Sequence, residues 1–123
     1  MTPTELIELW VERFNQADVE GLVALYAANA INDQVVFNEP LVGKPAIKDM
    51  FELEFSRATM VCIKEKIYQC DDTVILQWRD PLGLRGCGFF QVDDNLIVHQ
   101  KGYFDQLTFF KIQQLPLPID YLT

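Results

Sequence analysis

The hydrophobic pattern changes period once along this chain, and that change limits the possible folds more than any other feature. Through the first part of the 123 residues, apolar side chains recur at three- and four-residue steps, the mark of helices with one buried stripe. From about residue 58 onward they alternate or run in short blocks, separated by Asp71-Asp72, Asp80-Pro81-Leu82-Gly83 and Asp93-Asp94-Asn95. Those blocks read as strands joined by turns. Helices first and antiparallel strands afterwards define an α+β domain, not a series of alternating βαβ units. No repeat, low-complexity tract or linker interrupts the pattern, so one domain spanning 1–123 is expected.

The first helix has a clear start. Thr2 can cap it, Pro3 suits its first position, and Glu5 completes a capping box. Leu6, Leu9, Trp10, Phe14 and Ala17 then share one face. Asp18 begins a shorter helix in which Leu22, Leu25 and Tyr26 share a side, and Val35-Val36-Phe37 reads as a short strand. A third helix starts at Gly43-Lys44-Pro45 and turns Ile47, Met50, Phe51 and Phe55 inward. The long stretch Met60–Cys70 alternates imperfectly, which predicts a bulge or bend. Thr73–Asp80 is the next strand, and Leu84–Val92 and Leu96–Phe104 form a hairpin. Asp105 caps a last helical turn through Phe109, Phe110 and Ile112, and the proline-containing tail Leu115–Leu122 is expected to lie extended against some surface.

Composition removes several functions. A net charge of -8 with no basic run repels phosphate backbones, so no nucleic-acid partner is expected. No apolar run approaches the roughly 18 residues of a membrane span, and the first residues lack a signal peptide's basic start and apolar run. Cys62, Cys70 and Cys87 cannot all pair within one chain, and none stands in a CxxC spacing. With His99 the only histidine, neither a metal site nor a cofactor is expected. Free thiols suit a reducing, cytoplasmic location.

Three stretches carry a resemblance: Phe14–Tyr26 (FNQADVEGLVALY), Gly43–Phe51 (GKPAIKDMF) and Gly88–Asp105 (GFFQVDDNLIVHQKGYFD). In this order of elements they resemble the SnoaL-like branch of the nuclear transport factor 2-like superfamily, whose members include ketosteroid isomerases, polyketide cyclases and limonene epoxide hydrolases. The resemblance implies a cone, in which N-terminal helices pack in the concave face of a curved, mainly antiparallel sheet and leave a pocket. The last stretch is similar to the final hairpin of the limonene epoxide hydrolases, and Asn38-Glu39-Pro40 to their asparagine-x-proline segment. The hydrolase's catalytic set does not carry over. Its final catalytic Asp falls on Gly102, its Tyr about at Val36, and its Arg-x-Asp pair near Trp78-Arg79-Asp80. There Arg and Asp are adjacent and should face opposite ways. The resemblance also implies a homodimer through the outer sheet face, where Ile97, His99, Lys101 and Tyr103 alternate.

Within the implied pocket, alternation sets Val74, Leu76, Trp78 and Asp80 on one face of their strand, and Val98, Gln100, Gly102 and Phe104 on one face of theirs. An Asp beside Trp in poor solvent suits acid–base chemistry; the other reading of Asp80 is that it opens the turn that follows it. Asp33 is a second candidate base by resemblance to the isomerases, or else part of a polar turn. Tyr26 is either a hydrogen-bond donor to an oxyanion or a core residue. Asn38 can orient a water or a ligand carbonyl. Trp10, Phe14, Tyr26, Asn38, Trp78, Gln100 and Phe104 make up the expected ligand-binding set. The function expected is that of an isomerase, cyclase or hydrolase acting on a small apolar molecule through Asp33 or Asp80. The alternative is a non-catalytic domain for hydrophobic-ligand binding or dimerisation.

Overall fold

The capping box forms as the sequence predicts and starts α1 (Pro3–Asn15): the Glu5 amide donates to the Thr2 hydroxyl at 3.1 Å, and the Thr2 amide donates to the Glu5 carboxylate at 2.8 Å. The structure is a computed structural model and describes residues 1–37 and 39–117. Asp18 accepts the Gly21 amide at 2.9 Å and caps α2 (Val19–Val23). The chain then runs through β1 (Tyr26–Gln34), β2 (Leu41–Val42), α3 (Lys44–Arg57), β3 (Ile63–Cys70), β4 (Thr73–Arg79), β5 (Arg85–Asp93), β6 (Leu96–Phe104) and α4 (Gln106–Ile112).

The six strands form one curved, unclosed sheet in the order β2-β1-β6-β5-β4-β3. Every pairing is antiparallel except β1 with β6. Leu6, Ile7 and Trp10 of α1, Leu22 of α2, and Ile47 and Phe51 of α3 pack onto Val74, Leu76, Phe90, Val92 and Ile97 of the sheet. This is the α+β cone that the resemblance implies, with the helices in the concave face. The Asn15 side chain ties the end of α1 to the segment before β3, pairing with both backbone groups of Cys62 at 2.7 and 2.9 Å. Burial pushes the Cys62 thiol up to about 12.

Local expectations hold best where local chemistry sets the backbone. The β5–β6 turn has Asp94 at φ 52 and Asn95 at φ 60, the two left-handed residues of a tight hairpin whose twist matches its strands. Gly83, at φ 104, ends the turn after β4. The predicted irregularity in the 60–70 stretch is a bulge between Lys64 and Lys66.

Three expectations are corrected. Tyr26 does not lie on the second helix, because the Leu25 carbonyl accepts the Ile97 amide at 2.8 Å and the chain enters the sheet there. Val35-Val36-Phe37 is a turn, not a strand; the strand is the preceding stretch, rich in Ala and Asn, which pairing to β6 and β2 makes extended despite weak strand propensity. Ile97 is not on the outer face. Gln91 faces His99 while Val92 faces Ile97, so Val98 is an extra residue and the alternation inverts. Ile97 therefore enters the core, fully buried. Of the expected tail, 118–122 lie outside the described residues.

Candidate functional site

Helices α1, α3 and α4 close over the sheet around a cavity of about 140 Å³. Its wall is mostly apolar: Trp10 and Phe14 from α1, Phe51 from α3, Leu76 and Trp78 from β4, Phe90 from β5 and Phe104 from β6. Two glycines make this wall possible. A Cβ on Gly86 would meet the Trp78 indole at 2.5 Å, and one on Gly102 would run into the Gln34 amide. The space beside Gly102, which has no side chain, is filled by the Gln34 amide from the neighbouring strand, since Gln34 and Gly102 are paired in register.

At the deep end the polar groups form two short relays. The Trp10 indole N–H donates to the Tyr26 hydroxyl at 3.0 Å, and Tyr26 donates to the Gln100 carbonyl oxygen. Tyr26 is fully buried, and burial holds its hydroxyl well above the ordinary tyrosine range despite the Trp10 hydrogen bond, so it stays protonated. Beside it, Gln34 Nε2 donates to Asn32 Oδ1 at 2.8 Å. Asn32 is 1% exposed, and its Nδ2 group is buried without a partner. Asn32 and Gln100 are register partners on β1 and β6, and both line the cavity.

Different contacts build the mouth. Asp80, 7% exposed, follows β4 and accepts the amides of Leu82 and Leu84 on Oδ1, each at 2.9 Å. It is therefore both the turn residue and a wall residue, so the two readings of Asp80 are not exclusive. Arg79 is exposed and absent from the lining, as alternation requires. Arg57 forks onto Glu54 at 2.7 and 3.0 Å and lies 6.0 and 5.7 Å over the Phe109 and Phe110 rings, fastening α4 to α3. Asp105 caps α4 through the Leu107 amide at 3.1 Å.

Of the residues named from sequence, the cavity brings together Trp10, Phe14, Trp78, Asp80, Gln100 and Phe104. Tyr26 lies behind Gln100, not on the lining. Asp33 is outside the lining because it is the strand neighbour of Asn32 and takes the opposite face. Asn38 lies outside the described residues. Sequence reasoning missed Asn32 and Gln34; placing β1 at 26–34 would have shown them two apart on one face. Among the described residues, no group of three or more His, Cys, Asp or Glu side chains is placed to hold a metal ion. No helix there is long and apolar enough to cross a membrane.

Comparison with known proteins agrees with this architecture. Residues 7–100 match the SnoaL-like domain, and the chain belongs to that family, within the nuclear transport factor 2-like superfamily. No curated protein sequence matches it significantly. A putative polyketide cyclase from Pseudomonas putida KT2440 superposes with a TM-score of 0.81 at 18% identity, covering 92% of this chain and 98% of that one. A Catenulispora acidiphila protein with a ketosteroid isomerase-like fold, in complex with trimethylamine, gives 0.81 at 15% identity over 94% and 96%. TerC, co-crystallised with polyporic acid, gives 0.75 at 13% identity over 91% and 98%. At these identities the structural likeness shows the fold alone.

Proposed function

We propose that the chain is an enzyme of the isomerase or cyclase kind that holds a small, mostly apolar carbonyl compound in its cavity and moves a proton with Asp80. The carrying observation is one nearly buried carboxylate without an ion-pair partner, among the described residues, on a mostly apolar wall. Of the two carboxylates on that wall, Glu54 is forked by Arg57, while Asp80 has no ion-pair partner among the described residues. Asp80 Oδ1 is fixed by two backbone amides, which leaves Oδ2 to take a proton from the carbon beside the carbonyl. The enolate so formed takes the proton back at another carbon, which is isomerisation, or attacks a second carbonyl, whose oxygen then takes the proton from Asp80, which is cyclisation. A cavity of about 140 Å³ fits a ligand with one ring inside, since an apolar cavity of about 150 Å³ holds a benzene ring. A structural relative named as a polyketide cyclase, and others crystallised with small organic compounds, support the reading.

Acetophenone in heavy water tests it. The native protein should speed deuterium uptake into the methyl group, followed by proton NMR, and Asp80→Asn should remove at least about 99% of that rate, as loss of a general base does. Asp33→Asn should leave it unchanged. Equal rates in the native and Asp80→Asn proteins would sink the catalytic role. No acceleration at all would favour the second reading, a domain that holds a hydrophobic molecule without changing it. The turn role of Asp80 supports that alternative.

The outer sheet face suits pairing of two copies. His99, Lys101 and Tyr103 line a shallow concavity with Phe89, and the Phe89 and Tyr103 rings meet edge to face at 5.9 Å. Native mass spectrometry showing only monomer at tens of micromolar (roughly the range in which a stable pair persists) would remove this proposal. The free thiols of Cys62, Cys70 and Cys87 support a cytoplasmic location.

A further inference from the structure

One amide at the deep end has its polarity dictated by its neighbours, and a second stands beside it with a buried NH2 group. An indole N–H can only donate, so the Tyr26 hydroxyl must accept from Trp10 and spend its own hydrogen elsewhere. That hydrogen goes to Gln100, which must therefore present its carbonyl oxygen to Tyr26 and keep its NH2 group on the cavity side. Asn32 stands with its oxygen accepting from Gln34 Nε2 and its own Nδ2 buried without a partner. Because β1 and β6 are parallel neighbours and Asn32 pairs with Gln100, the two residues stand beside each other on the cavity face of the sheet.

We propose that Asn32 and Gln100 form a two-point clamp for an acceptor-only oxygen, the carbonyl of a ketone or quinone or the enolate derived from it, with Trp10 and Tyr26 as positioning residues. The proposal rests on the reading of the cavity as a ligand pocket and adds which atom of the ligand goes deepest. Trp10, Phe14, Phe51, Leu76 and Phe90 supply most of the remaining wall, so the rest of the ligand is a ring or short alkyl chain. A buried N–H left without an acceptor is costly, so a hydrocarbon of the same shape leaves the orphan unsatisfied while a ketone satisfies it. The same two donors would favour the enolate over the ketone, because a charged acceptor binds its donors more strongly. Tyr26 stays protonated through the neutral and mildly alkaline range, so the relay keeps one direction there.

Acetophenone and ethylbenzene, alike in shape and different at the carbonyl, provide the test. The native protein should bind acetophenone at least about tenfold more tightly than ethylbenzene, and the infrared stretch of carbonyl-labelled acetophenone should fall on binding. In Tyr26→Phe, which frees Gln100 to turn over, this preference should drop several-fold and the stretch should move back toward its free value, with ethylbenzene affinity unchanged. Asn32→Leu, which replaces the orphan by an apolar group, should do the same and serves if Tyr26→Phe does not fold. Equal binding of the two compounds to the native protein with an unshifted stretch would overturn the clamp and leave the pocket standing. Failure of both compounds to bind would overturn the pocket reading and the clamp with it. A preference that survives intact in both variants would place the oxygen elsewhere and also overturn the clamp.

Discussion

The two ends of the cavity are built from bonds of different reach. At the deep end, Trp10, Tyr26 and Gln100 join α1, β1 and β6 through partners 16 and 74 residues apart. At the mouth, Asp80 bonds to Leu82 and Leu84, Arg57 to Glu54, and Asp105 to Leu107, all within one turn of chain. The deep end acquires its geometry only when the sheet closes on α1, whereas the pieces of the mouth form locally and are then fastened together by Arg57 over Phe109 and Phe110 and by Gln113 on the Thr59 carbonyl. Partners far apart in sequence therefore orient the polar groups of the deep end, and near neighbours those of the mouth.

The largest effect should come from removing a side chain that belongs to the deep end. Trp10 stacks on Phe14 at 5.0 Å, meets Phe90 edge-on at 5.2 Å and supplies the first donor of the relay. Trp10→Ala should cost about 3–5 kcal/mol in urea unfolding. Phe109→Ala, in the small cluster with Leu84 and Phe110, should fall at or below about 3 kcal/mol, the lower end of that range. Equal costs would mean that α4 is as much part of the core as α1 and would break the contrast between the two ends.

The same difference in reach explains what the sequence reveals. The α1 cap, the Asp80 turn, the β5–β6 turn and the Asp105 cap depend on neighbours within about four residues, so residue type alone announces them. The α+β order and the cone were legible because periodicity and three family-like stretches run through most of the chain. The face of Asn32 was not legible, because nothing local makes 26–34 a strand; β6 and β2 impose it through pairing. For the same reason Asp33, the charged neighbour, stood out while the amide beside it did not. Ile97 was misplaced because one extra residue, Val98, inverts the face of β6, and a bulge leaves little trace in composition.

An intermediate effect should follow from alkaline pH, again at the buried side. Cys62 and Tyr26 have folded-state values raised by burial, so the folded chain holds protons that the unfolded chain releases above about pH 8.5 for Cys and about pH 10 for Tyr. Stability from both groups is fully present below those values and is lost as pH rises through the folded ones, by up to about 1.4 kcal/mol per pH unit for each group. Urea unfolding from pH 8 to 11 should show two onsets; Cys62→Ala should remove the first and Tyr26→Phe the second. A single onset unchanged by Tyr26→Phe would mean that the tyrosine is not sealed, and the deep end would lose its distinction from the mouth.

The smallest effect should belong to the mouth. Asp80→Ala removes the acceptor of two backbone amides in one turn, a loss comparable to that of a helix cap, about 1 kcal/mol. Because those bonds span only two and four residues, the loss should stay in the turn and need not reach the global unfolding transition. Amide exchange should quicken at Leu82 and Leu84 and remain as in the native protein at Gln100 and Ile97, which open only with the sheet. Quickened exchange along β6 as well would show that the turn props the sheet, and the division between a locally built mouth and a tertiary deep end would have to be redrawn around Asp80.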